Sequence, residues 1–465
     1  MIFYMLADIG IIGLGVIGGS FILNLSEQGF LCAGYDEDKS KYDYLAHENN
    51  SNLQLAETLE SLLNQIKKPR KIFLFVPSDT VDDVIESLKP LLSKNDILID
   101  SGNSHFLETE RRISELAKDG VNFVGIGISG GIQGARKGAS LMFGGDAQTY
   151  EILKPFLEAA SAKVNGESCQ ARVGNGAAGH FVKMAHNGIE YGLMQSIAEI
   201  YAILKNNFNL TNLEIADIFQ DWNNGALNSY LIEISSKVLK RRENSTELIE
   251  LISDVAEQKG TGKWMVQTAL QFGTPIPSIE AAVCMRFISS SEKTRKILVN
   301  AIPQQKNNDL NAYSLSLEDM EKALLAAFLI SYAEGFELIS KGSEYYECDL
   351  QKIAATWRGG CIIRSQIVEY IYEAFQRKSD LENLLADPEI ASLMMESLPS
   401  LKKVCVAAIA RDIPVMALSA ALNCMNAYRA SRLPTNLIQA QRDFFGRHGY
   451  RRIDKPGIFS NMDWS

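Results

Sequence analysis

What the chain has little of narrows its class first. Histidine is scarce, five in 465 residues, and cysteine contributes only seven, at 32, 169, 284, 348, 361, 405 and 424. None forms a CxxC pair or a grouping with metal-ligand spacing. No metal site is expected, and the cysteines read as buried free thiols in a reducing compartment. Positive charge is also short: 46 Lys and Arg face 56 Asp and Glu, a net −10. That argues against a nucleic-acid partner or an anionic-membrane surface. An anionic ligand would need basic residues gathered locally, against the sign of the whole molecule. Long apolar runs are missing after the amino-terminal MIFYMLADIGIIGLGVIGGSFILNL. That run has no basic flank, Asp8 interrupts it, and five glycines fall between 10 and 19, which suits a turn better than a span or a leader. A cytoplasmic protein is expected.

What is present is ordinary in bulk, 46% apolar and 22% charged, with length for two or three domains. Two regimes follow one another. Up to about residue 175, short apolar runs (DIGIIGLG, FLCAGYD, KIFLFVPS, DILIDSGNS, NFVGIGISGG) alternate with amphipathic segments at 57–67, 79–92 and 107–118. This is the pattern of βαβ units in a parallel doubly wound sheet. From 177 onward helical periodicity dominates, over 177–206, 211–240, 246–258, 264–273, 318–342, 349–376, 380–390 and 400–430. The last stretch, from Pro434, is less periodic and rich in Arg, Gly and aromatics. The expected architecture is a doubly wound α/β domain over 1–176, a large all-helical domain over 177–433, and a short tail over 434–465.

Gly13-Leu14-Gly15-Val16-Ile17-Gly18 follows the first strand-like run and opens a helix-like one. In that context GxGxxG marks a Rossmann-like dinucleotide site. Gly13 permits the tight turn, Gly15 lets amides approach a pyrophosphate, and Gly18 lets helix and strand pack closely. Asp36 lies 18 residues after Gly18, where a carboxylate reads the adenosine ribose and repels a 2′-phosphate. Glu37 and Asp38 follow it.

The segment 175–205 carries a second constellation. Lys183, His186, Asn187 and Glu190 stand at i, i+3, i+4 and i+7, on one helix face, with Tyr191 beside them. Taken alone, this face is either a solvated polar stripe or a buried working surface. Gly188 and Gly192 permit close approach, which favours burial. A desolvated Lys can take a proton from a hydroxyl as hydride leaves the same carbon.

Six strings then align in order: ISGGIQGARKGASLMFGG, GHFVKMAHNGIEYG, FQDWNNGALNSYLIEI, EQKGTGKW, WRGGCIIRS and LPTNLIQAQRDFFGRHGY. Together they resemble the decarboxylating 6-phosphogluconate dehydrogenases, from about residue 8 to the end. The resemblance implies a homodimeric enzyme that converts 6-phosphogluconate and NAD(P)+ to ribulose 5-phosphate, CO2 and NAD(P)H without a metal. It implies Lys183 as base and later acid, and Glu190 as the acid that protonates C1 of the enediol. Asn103, Ser129, Gly130, Gly131, His186 and Asn187 would hold the carboxylate end, and Tyr191, Lys259, Thr261 and Arg286 the phosphate. Arg442 and His448 would come from the partner subunit's tail. Outside the resemblance, SGG is equally a plain turn and Arg286 equally half of a buried ion pair.

Departures cluster on the cofactor side. NADP-using members of the family read Asn-Arg-Thr or Asn-Arg-Ser where Asp36-Glu37-Asp38 stands, and Lys where Pro77 stands between Val76 and Ser78. NAD is therefore expected to be preferred, with Lys39 and Lys41 in reach of a 2′-phosphate. Ile132 and Gln133 replace two acids, and Phe143 a Pro, on the nicotinamide side. Two other readings stay open: a β-hydroxyacid dehydrogenase acting on a non-phosphorylated acid, and a non-catalytic dinucleotide-binding protein.

Overall fold

A computed structural model describes residues 5–48, 50–302, 314–461 and 464. Residues 1–4 of the apolar amino-terminal run, and 462, 463 and 465 of the expected tail, lie outside the described residues. The first part runs β1 (Ile9–Ile12), α1 (Val16–Glu27), β2 (Cys32–Tyr35), α2 (Ser40–His47), β3 (Leu53–Leu55), α3 (Leu59–Asn64), β4 (Lys71–Leu74), α4 (Val81–Leu88), β5 (Ile97–Asp100), α5 (Phe106–Leu116), β6 (Asn122–Ser129), α6 (Gly131–Lys137), β7 (Ser140–Gly144), α7 (Ala147–Ala160), a small hairpin of β8 (Lys163–Val164) and β9 (Glu167–Ser168), and β10 (Gln170–Gly174). The sheet order is β10-β7-β6-β5-β4-β1-β2-β3. Apart from the half-buried edge strand β3, its strands are largely buried on both faces, which is why β1, β2, β4, β5 and β6 read as continuous apolar runs.

The sheet is not wholly parallel. β6 and β7 pair antiparallel, and β10 runs alongside β7. Only the short α6 separates β6 from β7, and a parallel return needs a crossover of about a dozen residues or more. The periodicity also missed β3, β7 and β10.

The helical part comprises α8 (Ala178–Asn206), α9 (Asn212–Trp222), α10 (Tyr230–Leu239), a hairpin of β11 (Arg242–Glu243) and β12 (Thr246–Glu247), α11 (Thr261–Phe272), α12 (Pro277–Ser290), α13 (Glu292–Ala301), α14 (Leu317–Tyr346), α15 (Leu350–Trp357), α16 (Gln366–Arg377), α17 (Pro388–Ile409) and α18 (Met416–Tyr428). The helix expected over 246–258 is instead part of that hairpin and a 3-10 turn, Leu248–Leu251. The spans 211–240, 349–376 and 400–430 each break in two, at NNGALNS, at RGGCIIRS and before Pro414. Residues 380–390 form a 3-10 turn, Leu384–Ala386, and the start of α17. The tail is more regular than its composition suggested, with α19 (Thr435–Gly446) and a hairpin of β13 (Tyr450–Arg451) and β14 (Ile458–Phe459).

α8 and α14 are the core of the helical part. α14 is long and apolar enough to cross a bilayer, yet 89% of its most apolar window is buried inside the protein. Gly188 and Gly192 on α8 are close-approach positions: a Cβ on Gly188 would lie 1.8 Å from Met265 Sδ, and one on Gly192 2.8 Å from Ser331 Oγ. All seven cysteines are free. Four are buried, Cys348 and Cys424 are half-buried and, against expectation, Cys284 is exposed.

Candidate active site

At the carboxyl end of β1 the three glycines do different work. Gly13 has φ +92°, and a Cβ on it would sit 2.4 Å from the Phe75 carbonyl oxygen. A Cβ on Gly18 would sit 1.9 Å from the Gly13 oxygen, whereas no atom lies within 4 Å of the corresponding position on Gly15. Gly13 and Gly18 thus close the turn, and Gly15 leaves it open to a ligand. α1 follows Gly15 at its N-cap and has no side-chain cap, so its first amides are free to meet an anion. Leu14 is buried, while Val16 and Ile17 are exposed on the turn.

Asp36 directly follows β2 and reaches back: Leu14 N–H donates to its Oδ2 at 2.6 Å and Asp38 N–H to its Oδ1 at 2.9 Å. Beside it lies a cavity of about 460 Å³ bordered by Gly13, Gly15, Tyr35, Asp36, Glu37, Val76, Pro77 and Asp83, among others. Ser78 does not border it. Three of the bordering residues are carboxylic acids and none is a cation. Asp38 faces elsewhere: it accepts from Ser40 N–H at 3.0 Å and pairs with Lys41 at 3.1 Å, and those bonds hold its carboxyl at about 2. Lys39 is spent as well, donating to Tyr42 Oη and the Glu57 carbonyl, both at 2.9 Å. Both lysines are thus engaged in surface contacts, with side chains 42% and 45% exposed.

The polar face of α8 is buried. Lys183, His186, Asn187 and Tyr191 are all less than 10% exposed, which removes the solvated-stripe alternative. Lys183 Nζ lies 3.4 Å from His186 Nδ1, and among the described residues no carboxylate is within ion-pair distance of it. Burial pulls its ammonium down to about 8, against the opposing pull of Glu190. His186 is held well below its ordinary value by burial and by Lys183, so the ring is neutral. Nδ1 can accept from a Lys183 ammonium or, in the other tautomer, donate to Asn187 Oδ1 at 3.2 Å. Its Nε2 meets Ser129 Oγ at 3.0 Å, at the turn of β6 into Gly130 and Gly131. Asn187 Nδ2 donates to Asn103 Oδ1 at 3.5 Å. Glu190 is half-buried, and burial raises its carboxyl despite Lys183 and Arg286.

At the other end of the face Tyr191 carries a cation. The Arg286 guanidinium sits 4.7 Å from its ring centroid and donates to the Glu257 carbonyl at 3.2 Å. Among the described residues Arg286 has no carboxylate partner, so it is not half of a buried ion pair. Thr261, buried, opens α11 two residues after the exposed Lys259, and a Cβ on Gly262 would lie 2.7 Å from the Tyr191 ring. Residue types alone missed the loop after α15. Ile362 N–H donates to Ser129 Oγ at 3.3 Å, the Gly360 oxygen lies where a Gly130 Cβ would be, and Trp357 stands edge-on to His186, centroids 5.7 Å apart. Its contribution to the SGG turn is made by backbone atoms, which leave no signature in side-chain chemistry.

Comparison with known proteins decides the family. Two family models cover the chain: the NAD binding domain of 6-phosphogluconate dehydrogenase over residues 8–171, and the 6-phosphogluconate dehydrogenase C-terminal domain over 179–464. The chain belongs to the 6-phosphogluconate dehydrogenase family. It is similar to the NADP(+)-dependent, decarboxylating 6-phosphogluconate dehydrogenase of Bacillus subtilis, 43% identical over 98% of this chain and 99% of that one. The decarboxylating enzyme of Mus musculus is 42% identical over 99% and 97%. A solved structure of the Plasmodium falciparum 6-phosphogluconate dehydrogenase, described with its cofactor NADP+ and its substrate 6-phosphogluconate, superposes with a TM-score of 0.92 at 37% identity, covering 98% of this chain and all of that one.

Against that family pattern, two of the departures on the nicotinamide side fall on exposed residues, Ile132 and Gln133. Phe143 is fully buried in β7 against Tyr150, centroids 5.3 Å apart, so it is a core substitution. Arg442 and His448 are exposed on the tail, which folds on itself around Asp443. That buried carboxylate accepts from Gly449 N–H, Ser460 Oγ, Asn461 N–H and Trp464 Nε1.

Proposed function

We propose that this chain oxidises and decarboxylates 6-phosphogluconate to ribulose 5-phosphate and CO2, the reaction of the oxidative pentose phosphate route, with NAD preferred over NADP. One observation carries the reaction: a buried Lys183 without a carboxylate partner, on one helix face with His186, Asn187 and Glu190. The face runs between the Asn103 and Ser129 turns of the α/β domain and the cation-bearing Tyr191. A nicotinamide dinucleotide, when bound, accepts the hydride that leaves C3. Gly13, Leu14, Gly15, Val16, Ile17 and Gly18 would hold its pyrophosphate, and Asp36, Glu37, Val76 and Pro77 its adenosine.

The rest is done by side chains. Ser129, the Gly130 and Gly131 amides, His186, Asn187 and Asn103 hold the carboxylate end, and Tyr191, Lys259, Thr261 and Arg286 hold the phosphate. Lys183, neutral, takes the C3 hydroxyl proton as the hydride departs. The resulting 3-keto group accepts the electron pair released when the C1–C2 bond breaks, and Lys183 returns its proton to that oxygen as CO2 leaves. Glu190, whose raised carboxyl keeps a proton available, protonates C1 of the enediol while neutral Lys183 takes back the proton of the former C3 hydroxyl, giving the ketose.

Cofactor choice rests on Asp36, Glu37 and Asp83 around a cavity bordered by no cation, since a 2′-phosphate dianion beside carboxylates is unfavourable. Asp38 does not contribute. We place the active enzyme in the cytoplasm as a homodimer, with domains over 1–176 and 177–433, and with Arg442 and His448 of tail 434–465 completing the partner's site. Steady-state kinetics with 6-phosphogluconate and gluconate test the reading. The expected result is efficient turnover of the phosphorylated acid alone; equal turnover of gluconate would favour a β-hydroxyacid dehydrogenase that ignores the phosphate, and no turnover of either a non-catalytic protein.

A further inference from the structure

A buried carboxylate with no cation beside it lies outside the face described above. Glu334, on α14 and 4% exposed, accepts from Ser278 N–H at 3.0 Å, Ser278 Oγ at 2.7 Å and Ile279 N–H at 3.1 Å. All three donors belong to the first turn of α12. That helix begins at Ile276-Pro277 and has no side-chain cap of its own, so a neighbouring helix supplies one. Burial pushes the Glu334 carboxyl up to about 7 even with these donors, and Glu280 adds a like charge. A group this costly to keep in a core calls for a reason beyond packing.

The place where it acts is informative. Three helices meet there. Ser278 Oγ lies 3.3 Å from Ser331 Oγ of α14, and a Cβ on Gly192 of α8 would lie 2.8 Å from Ser331 Oγ and 3.4 Å from Ile279 Cγ1. Gly192 directly follows Tyr191. Eight residues further along α12, about 12 Å at the α-helical rise, Arg286 stands over Tyr191.

We propose that Glu334 is a positioning residue: by clamping the first turn of α12 to α14 it sets the register of that helix, and so the stance of Arg286 against Tyr191 and the substrate phosphate. The inference rests on the reading of Arg286 as a phosphate ligand.

The test compares Glu334→Gln, Arg286→Ala and the Glu334→Gln/Arg286→Ala double variant. Glutamine keeps the shape of Glu334 and turns an amide NH2 toward N–H donors. Glu334→Gln is expected to raise KM for 6-phosphogluconate about tenfold, the scale of loss when a binding group is displaced by part of an ångström, with kcat and the cofactor KM unchanged. The double variant is expected to be no worse than Arg286→Ala. A raised KM in Arg286→Ala with a normal KM in Glu334→Gln, or a fall in kcat alone in Glu334→Gln, overturns the positioning role and leaves the phosphate reading standing. A normal KM in Arg286→Ala overturns the phosphate reading, and this inference with it. Should Glu334→Gln not fold, Glu334→Asp, still anionic but one methylene shorter, is expected to shift the same KM. Failure of both to fold, or a normal KM in Glu334→Asp, overturns the proposal.

Discussion

Lys183 is paired with a neutral imidazole rather than with a carboxylate, and this makes it reactive and costly at once. Its folded value of about 8 lies below its ordinary 10.5, so the fold disfavours the ammonium. The cost is full below pH 8 and is relieved as pH rises from 8 toward 10.5, the reverse of a salt-bridged lysine. Lys183→Met is therefore expected to raise Tm at pH 7 in a thermal melt while lowering kcat by about a thousandfold, within the range for loss of a general base; near-normal turnover would refute the role. As the base must be neutral, kcat/KM of the native enzyme is expected to climb through about pH 8. On the cofactor side, Glu37→Arg, placing a fork-shaped cation at the cavity, is expected to improve kcat/KM with NADP by about tenfold; no gain would show that Glu37 does not discriminate. The α8 face could be read from spacing alone, since i, i+3, i+4 and i+7 fix a common side. The DED stretch could be read only in part. Asp36 and Glu37 border the cavity, but Asp38 is turned away toward Ser40 N–H and Lys41, and a run of three like residues gives no sign of which one the next helix will claim.

The elements that could be recognised from sequence were those with a strong apolar pattern of their own. β1, β2, β4, β5 and β6 carry their own apolar runs, and α8 its own periodicity. β7 and β10 did not stand out because SLMFG lies within a glycine-rich string and QARVG carries Gln and Arg among its five residues. α13 has no buried residue and so no pattern to detect, and the span over 246–258 shows that apolar spacing without tertiary support does not make a helix. The glycine turn gives an element-scale test. Gly18→Ala would drive a Cβ into the Gly13 carbonyl and is expected to lower Tm of the cofactor-free protein. Gly15→Ala meets nothing and is expected to leave Tm unchanged while weakening cofactor binding by calorimetry. Equal destabilisation by both would contradict this division of labour.

At the scale of the whole molecule the tail is the telling part. Its inner side is organised by Asp443, while Leu437, Phe444 and Phe445 are 62%, 68% and 73% exposed, more apolar surface than one chain has reason to leave bare. A second copy covering it accounts for that exposure and would bring Arg442 and His448 to the other site. Co-expressing Lys183→Ala with Arg442→Ala/His448→Ala is expected to restore activity, because each mixed dimer keeps one intact site; if each tail served its own chain, every site would stay defective. The most direct measurement of all is turnover of 6-phosphogluconate with NAD and NADP side by side, following CO2 release and dinucleotide reduction together. Equimolar CO2 and reduced dinucleotide, with kcat/KM higher for NAD, is the expected result. A clear preference for NADP would contradict the role given to Asp36 and Glu37, and reduction without CO2 would contradict the reaction itself.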